Sequence, residues 1–308
     1  MNIKMVIRVL ALLVVMLSFA NANSNILVYK IANKNHKVTA QKLASGLIKH
    51  GYTVAKNQDM NTPYKKQFGK TSFYSYNLMS VYEPSFAKKM VVKNSINGIF
   101  VPFSVAVYQK KDDNFIHIAF LGAKAQERIV EQKDKMFDTL EALNKKTITK
   151  IFPSAILEPL AYESTKTDKA MYTKYTVESD DEDAQEEYGD MMMVMQGSMK
   201  MGGFVVANYI DYNAELQANG INEYLFYHSY SLCKLKIIYQ LSKKSPEAGA
   251  FAPCTMVIYH KKGSNKTEIV SLNINSLIAM LALKDKDLLK MLDTTQMEMT
   301  EIIKDAIE

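Results

Sequence analysis

Residues 98–111 read GIFVPFSVAVYQKK and residues 249–262 read GAFAPCTMVIYHKK. Gly, Phe, Pro, Tyr and the closing pair of Lys coincide at a constant offset of 151. Upstream, Gly51-Tyr52-Thr53-Val54-Ala55 lies opposite Gly203-Phe204-Val205-Val206-Ala207 at an offset of 152, and in that register Asp59 meets Asp211. Tyr76-Asn77-Leu78 pairs with Tyr230-Ser231-Leu232 at 154, which implies small loop insertions between the anchors. Collinear matches of this kind mean one folding pattern written twice.

Each copy presents the same order of signals. A short extended run opens it, Ile26 to Ala32 in the first and Met171 to Val177 in the second. A helix follows. In the first copy Lys49-His50-Gly51 ends it, with cations against the negative helix end and a Gly free to take positive φ. In the second, the acidic run Glu178 to Asp183 precedes the helix, where Ser179 or Asp180 can cap it; a cation site is the competing reading. Strand-like runs come next, Tyr52 to Ala55 and Ser72 to Tyr82, then Phe204 to Ile210 and Tyr224 to Cys233. A hairpin closes each core, Ser104 to Tyr108 with Phe115 to Leu121, and Thr255 to Tyr259 with Thr267 to Leu272, around polar turns. Helices rich in Leu, Met, Glu and Lys finish the copies at about 123–146 and 275–308. The expected class is α+β: two tandem, pseudo-symmetric two-layer domains, each a small, mainly antiparallel sheet packed with helices. They occupy residues 23–149 and 170–308, and the stretch 150–169, with Pro153 and Pro159, reads as the linker.

The N-terminus carries an export pattern. Lys4 and Arg8 form a positive start, Val9 to Phe19 is apolar apart from one Ser, and Ala20-Asn21-Ala22 supplies small residues for cleavage near Ala22. That apolar core is too short for a bilayer span, which needs ~20 residues. A cleaved signal peptide, residues 1–22, and a periplasmic mature protein with no membrane span are therefore expected. The hydrophobic fraction of 48% and charged fraction of 23% are those of a globular chain, and 308 residues leave room for two domains. The net charge of +6 does not indicate nucleic acid, since Arg8 and Arg128 are the only arginines among 38 basic residues.

Both copies resemble domain-of-unknown-function family 302 (DUF302), small bacterial and archaeal α+β domains. The second copy carries the closer match, in Tyr230-Ser231-Leu232-Cys233, a short helix, and Gly249-Ala250-Phe251-Ala252-Pro253-Cys254 leading into a Val-rich strand, with a final helix from Leu288 to Ile307. The first copy has Phe103 where the second has Cys254. The resemblance implies the fold and no established activity.

Cys233 and Cys254 are the only cysteines. In an oxidising compartment two such residues in one domain read as a disulfide, with a buried thiol pair, a redox-active pair and metal ligation as alternatives. At offsets of 154 and 151 their counterparts are Met79 and Phe103, both large and apolar, which places the pair in an interior. Cys/His metal ligation with His228 and His260 would need a bulge and a bend, and His36, His50 and His117 have no acidic or Cys partner at ligand spacing. Met192, Met195 and Met199 share one helix face, as core filler or, less simply, as a thioether site for a soft metal. No phosphate loop, nucleophile elbow, zinc-peptidase motif or dinucleotide fingerprint is present.

These signals favour a non-enzymatic binding or interaction module with no cofactor, its ligand in a cleft between the copies. The lining candidates are Tyr76, Tyr227, His228 and Tyr230, with Phe73 beside them. The alternative is a redox or metal-handling envelope protein (copper or haem) using Cys233 and Cys254. The partner is then a small molecule or an envelope protein, the latter docked on the helix from Leu288 to Ile307.

Overall fold

The computed structural model describes residues 25–158, 165 and 167–308. The expected signal peptide and its cleavage site lie outside them, as does part of the expected linker. The first copy forms β1 (Ile26–Ala32), β2 (Thr53–Asp59), β3 (Phe73–Tyr82), β4 (Phe103–Lys110) and β5 (Phe115–Leu121). The second repeats them as β7 (Tyr172–Glu178), β8 (Val205–Asp211), β9 (Tyr224–Cys233), β10 (Cys254–Lys261) and β11 (Lys266–Leu272). Both sheets are antiparallel and run in the same order, β2-β3-β4-β5-β1 and β8-β9-β10-β11-β7. One strand breaks the parity: β6 (Ile156–Glu158), inside the expected linker, pairs with β1 and covers the first sheet's edge.

The helices also correspond. The first copy has α1 (Ala40–Lys49), α2 (Asn61–Phe68), α3 (Pro84–Lys93), α4 (Ala123–Ile129) and α5 (Lys135–Ile151). The second has α6 (Ala184–Met201), α7 (Tyr212–Ala218), α8 (Leu235–Lys244), α9 (Ile274–Met280) and α10 (Lys286–Ile307). The helical stretches expected at about 123–146 and 275–308 each divide into two helices, and the last of them contains the expected final helix, Leu288 to Ile307. Glu131 and Ala282 take positive φ at matching positions, and Asp134 and Asp285 then cap the new helix by accepting backbone N–H groups of Met136 and Leu288. The short helices α2 and α7 are absent from the sequence reading. The paired Asp59 and Asp211 explain themselves here: each carboxylate caps one of these helices, from Thr62 N and from Ala214 N. Ahead of α6, Asp180 accepts the N–H groups of Glu182 and Asp183, while Asp181 reaches across to Gly263 N and His260.

The ladders correct one alignment. Tyr76 faces Tyr108, and Tyr227 faces Tyr259, so β3 and β9 correspond at an offset of 151 rather than 154. Tyr76 therefore matches Tyr227, and the counterpart of Cys233 is Tyr82, not Met79.

Strand alternation sorts the core into three layers. On the outer face of the first sheet, Val105 and Val107 pack with α1 and α5 residues such as Leu43 and Ile148. On the outer face of the second, Met256 and Ile258 meet Met192, Met195 and Met199 of α6 and Ile302 and Ile303 of α10. The inner faces share one core, which holds Tyr64, Tyr76 and Phe100 from one copy and Tyr212, Tyr227 and Phe251 from the other.

A two-turn 3-10 segment in each copy, Ser95–Phe100 and Pro246–Phe251, locks that layer by lying on the other copy's sheet. The contacts are reciprocal. Tyr76 Oη donates to Pro246 O at 2.9 Å and Tyr227 Oη to Ser95 O at 2.6 Å. Ser104 Oγ donates to Pro253 O at 2.9 Å, and Thr255 Oγ1 to Pro102 O at 3.2 Å. The repeated Gly of the opening motif is thereby explained. A Cβ on Gly98 would lie 1.8 Å from Tyr227 Oη, and one on Gly249 would lie 2.6 Å from the Leu78 side chain.

Candidate functional site

At the open end of the second sheet, under α8, α9 and α10, lies an apolar cavity of about 90 Å³. Phe204, Leu232, Cys233, Cys254, Met256 and Leu292 are among its walls. The polar groups that reach it are already engaged. Thr295 donates to Met291 O at 2.9 Å, and Gln296 Oε1 accepts the N–H of Ile274 at 2.8 Å. Lys234, also in the wall, pairs with Glu298 and places its ammonium 4.8 Å from the centre of the Phe204 ring.

The first copy shows why the space exists. At the offset of 151, Cys254 stands for Phe103, Cys233 for Tyr82 and Ser271 for Phe120. Three aromatic rings have become three small side chains, and all three replacements line the cavity. Exchanges in the other direction, Ala87 to Ile238, Ala123 to Ile274 and Glu141 to Leu292, refill part of the volume with hydrocarbon. The result is a space lined mostly by carbon and sulfur. Such a space stays dry and accepts apolar matter.

Both cysteines are free thiols. The ladder sets Cys254 opposite Leu232, so Cys233 is one residue out of step, on the alternate face of the sheet. The expected disulfide is not formed in this arrangement. Cys254 donates weakly to Phe251 O at 3.2 Å. Burial, with the neighbouring Cys254 as a second cause, pushes the Cys233 thiol up to about 12, and burial pushes Cys254 up to about 11. Because the thiolate is the nucleophile, both groups are poor ones at neutral pH.

The other sequence candidates fall elsewhere. Tyr76 and Tyr227 are buried plugs of the shared core whose hydroxyls are spent on the opposite copy, and Phe73 stacks on Tyr76 with ring centroids 4.6 Å apart. They line no open cleft, since the centre of the inter-copy space is filled by rings. Tyr230 and His228 lie apart from the cavity, beside α6. Tyr230 shares a hydroxyl contact with Tyr188, and His228 Nδ1 shares a hydrogen bond with Tyr209 Oη at 3.0 Å. Burial holds the His228 imidazole below its ordinary value, and its Nε2 has no partner. His260 is fully enclosed between Thr267 and Asp181 and ties the turn ahead of α6 to the hairpin. His117, expected to lack acidic partners, has two: Asp113 Oδ2 at 2.8 Å and Glu158 Oε2 at 3.2 Å, the latter brought by β6. Met192, Met195 and Met199 are buried in the outer core. The apolar face of α10 packs within its own domain, through Leu288, Leu292, Ile302 and Ile303.

Sequence reasoning missed Ser271 and Phe204. Comparing the copies position by position at 151 would have found Ser271, because Phe120 opposite Ser is a loss of volume in a strand.

A family model described as "Domain of unknown function DUF302" matches residues 28–150 and 181–306. No curated protein matches. Among solved structures, the crystal structure of an uncharacterized conserved protein DUF302 from Bacillus stearothermophilus aligns at 16% identity with a TM-score of 0.37, over 46% of this chain and 100% of that chain.

Proposed function

The chain belongs to the DUF302 family through both of its copies, and on that premise we propose that it is a non-enzymatic binding protein whose second copy takes up a small apolar molecule. The single observation behind this is the exchange of Tyr82, Phe103 and Phe120 for Cys233, Cys254 and Ser271, which opens a cavity in a fold whose first copy packs the same positions with rings. At about 90 Å³ the space is of the order of the ~150 Å³ apolar cavity that admits benzene or xenon. A short alkyl group, or the end of a longer chain entering beside Lys234, is the matching occupant. The first copy and the shared core hold the frame rigid around it.

The export pattern at Lys4, Arg8 and Val9 to Phe19 belongs to the same proposal, with the cavity at work in the periplasm. Expression with the leader tests it: recovery of a chain shortened near Ala22 from the periplasmic fraction is expected, and full-length protein in the cytoplasm overturns it. The rival reading, redox or soft-metal work at the two thiols, draws on both of them lining the same cavity. Their raised titration weighs against it.

Binding is tested by ligand-observed NMR with toluene and short alcohols. Saturable binding to the wild type and its loss in Cys254→Phe support the cavity. Equal binding by both proteins removes it.

A further inference from the structure

The reciprocal packing of the copies produces two junction grooves, related by exchange of the copies. One of them is open, a space of about 290 Å³ whose walls include Lys56, Gln58, Ser80, Val206, Cys233 and Pro253. Met60 and Pro63 complete its floor. In the twin groove the counterparts of Cys233, Pro63 and Met60 are Tyr82, Glu215 and Tyr212, at offsets of 151, 152 and 152. The chain itself fills that twin. Tyr82 donates its hydroxyl to the Glu215 carboxylate, and its ring stands edge-on to Tyr212 with centroids 6.2 Å apart. On the open side the ring has shrunk to a thiol and the carboxylate has become a proline.

Three polar side chains, Lys56, Gln58 and Ser80, line the vacated space. Lys56 lies directly opposite Ser80 in the β2–β3 ladder, so both project from one face of the sheet, with Cβ atoms about 5 Å apart. Gln58 opposite Leu78 continues that face. Ser80 is only 2% exposed, and its Oγ has no hydrogen-bond partner. A buried hydroxyl without a partner is an unfavourable arrangement that a ligand oxygen would relieve. Lys56 stands exposed at the rim.

We propose that the open groove is a second binding site, for a small organic monocarboxylate with an apolar or aromatic body, the chemistry that Tyr82 and Glu215 supply from within the chain at the twin. Ser80 donates to the carboxylate, Lys56 supplies the opposite charge, and Val205, Val206, Leu235 and Pro253 pack the body. This site shares Cys233 with the apolar cavity and otherwise stands apart from it.

The test titrates full-length protein with 3-phenylpropionate and with its neutral amide, by calorimetry. The acid should bind saturably and the amide roughly tenfold more weakly or worse, since a hydrogen bond to a charged group carries about that discrimination. Ser80→Ala and Lys56→Gln should each weaken the acid by about fivefold to tenfold. Cys233→Tyr with Pro63→Glu, which rebuilds the twin's filling, should abolish it, and the two polar variants keep the test decisive if that pair does not fold. Cys254→Phe should leave acid binding unchanged while removing toluene binding, so failure of one site is distinguishable from failure of the other. Equal affinity for acid and amide, no effect of Ser80→Ala, or no saturable binding of the acid overturns the proposal.

Discussion

The two copies share an order of strands, helix caps and interlocking turns, yet they spend their interiors differently. In the first, Phe120 stacks near Tyr29, Tyr52 Oη donates to Asn144 Oδ1 at 2.7 Å, and the rings of Tyr82, Phe103 and Phe120 help to frame the end of the sheet. In the second, Cys233, Cys254 and Ser271 stand in place of those three rings, and the framework remains while the filling is withdrawn. Stability and vacancy have been divided between two versions of one scaffold. The shared tyrosine core makes this tolerable, because it ties the looser copy to the tighter one.

That contrast can be broken most forcefully from the tight side. Phe120→Ser should destabilise the protein by about 3–5 kcal/mol, as a buried ring is replaced by a cavity and a hydroxyl, and urea unfolding measures it. The reverse exchange, Ser271→Phe, should cost far less or stabilise; a loss as large as that of Phe120→Ser would show that the cavity was not open space. Next come the interlocks. Gly98→Ala and Gly249→Ala should each destabilise by roughly 1–3 kcal/mol or more, because the added methyl meets the opposite copy. Tyr76→Phe and Tyr227→Phe should each lose about 1–2 kcal/mol by stranding a carbonyl of the other copy, and similar values would confirm that the interlock is equal in both directions.

The smallest expected effect is on pH dependence. His228 replaces Asn77, and burial depresses its imidazole, so the unfolded chain binds the proton more readily than the folded one. Stability should therefore rise with pH up to the ordinary histidine value of 6.5 and fall below it, by less than about 1.4 kcal/mol per pH unit. His228→Asn should remove that slope. A slope that persists belongs to other groups.

Much of this was legible before any coordinates. The Gly-x-Phe-x-Pro element announced the duplication because close backbone approach tolerates nothing larger than Gly at Gly98 and Gly249. Strands Ile26–Ala32 and Tyr224–Cys233 coincide to the residue with extended runs of the sequence. The slip of three in β9 has a physical origin: Tyr224, Tyr227 and Tyr230 recur at equal spacing, and any of them can be set against Tyr76. An odd slip turns a strand over, so Tyr230 belongs to the outer core while Tyr227 belongs to the inner one. The helices α2 and α7 were hidden by their shortness and polarity. The filled centre was hidden because a tyrosine looks half-polar in a sequence, and only its partner reveals that its hydroxyl can be buried. The cavity itself is a difference between copies and appears only once the register is right.

The reciprocal bonds from Tyr76 to Pro246 and from Tyr227 to Ser95 are those a two-fold homodimer would make. In such a dimer every substitution is made twice, and a ring lost from one subunit is lost from its mate. Within a single polypeptide each position mutates alone. Covalent fusion is what permits Tyr82 to seal one junction while Cys233 leaves the other ajar, an asymmetry that identical subunits could not sustain.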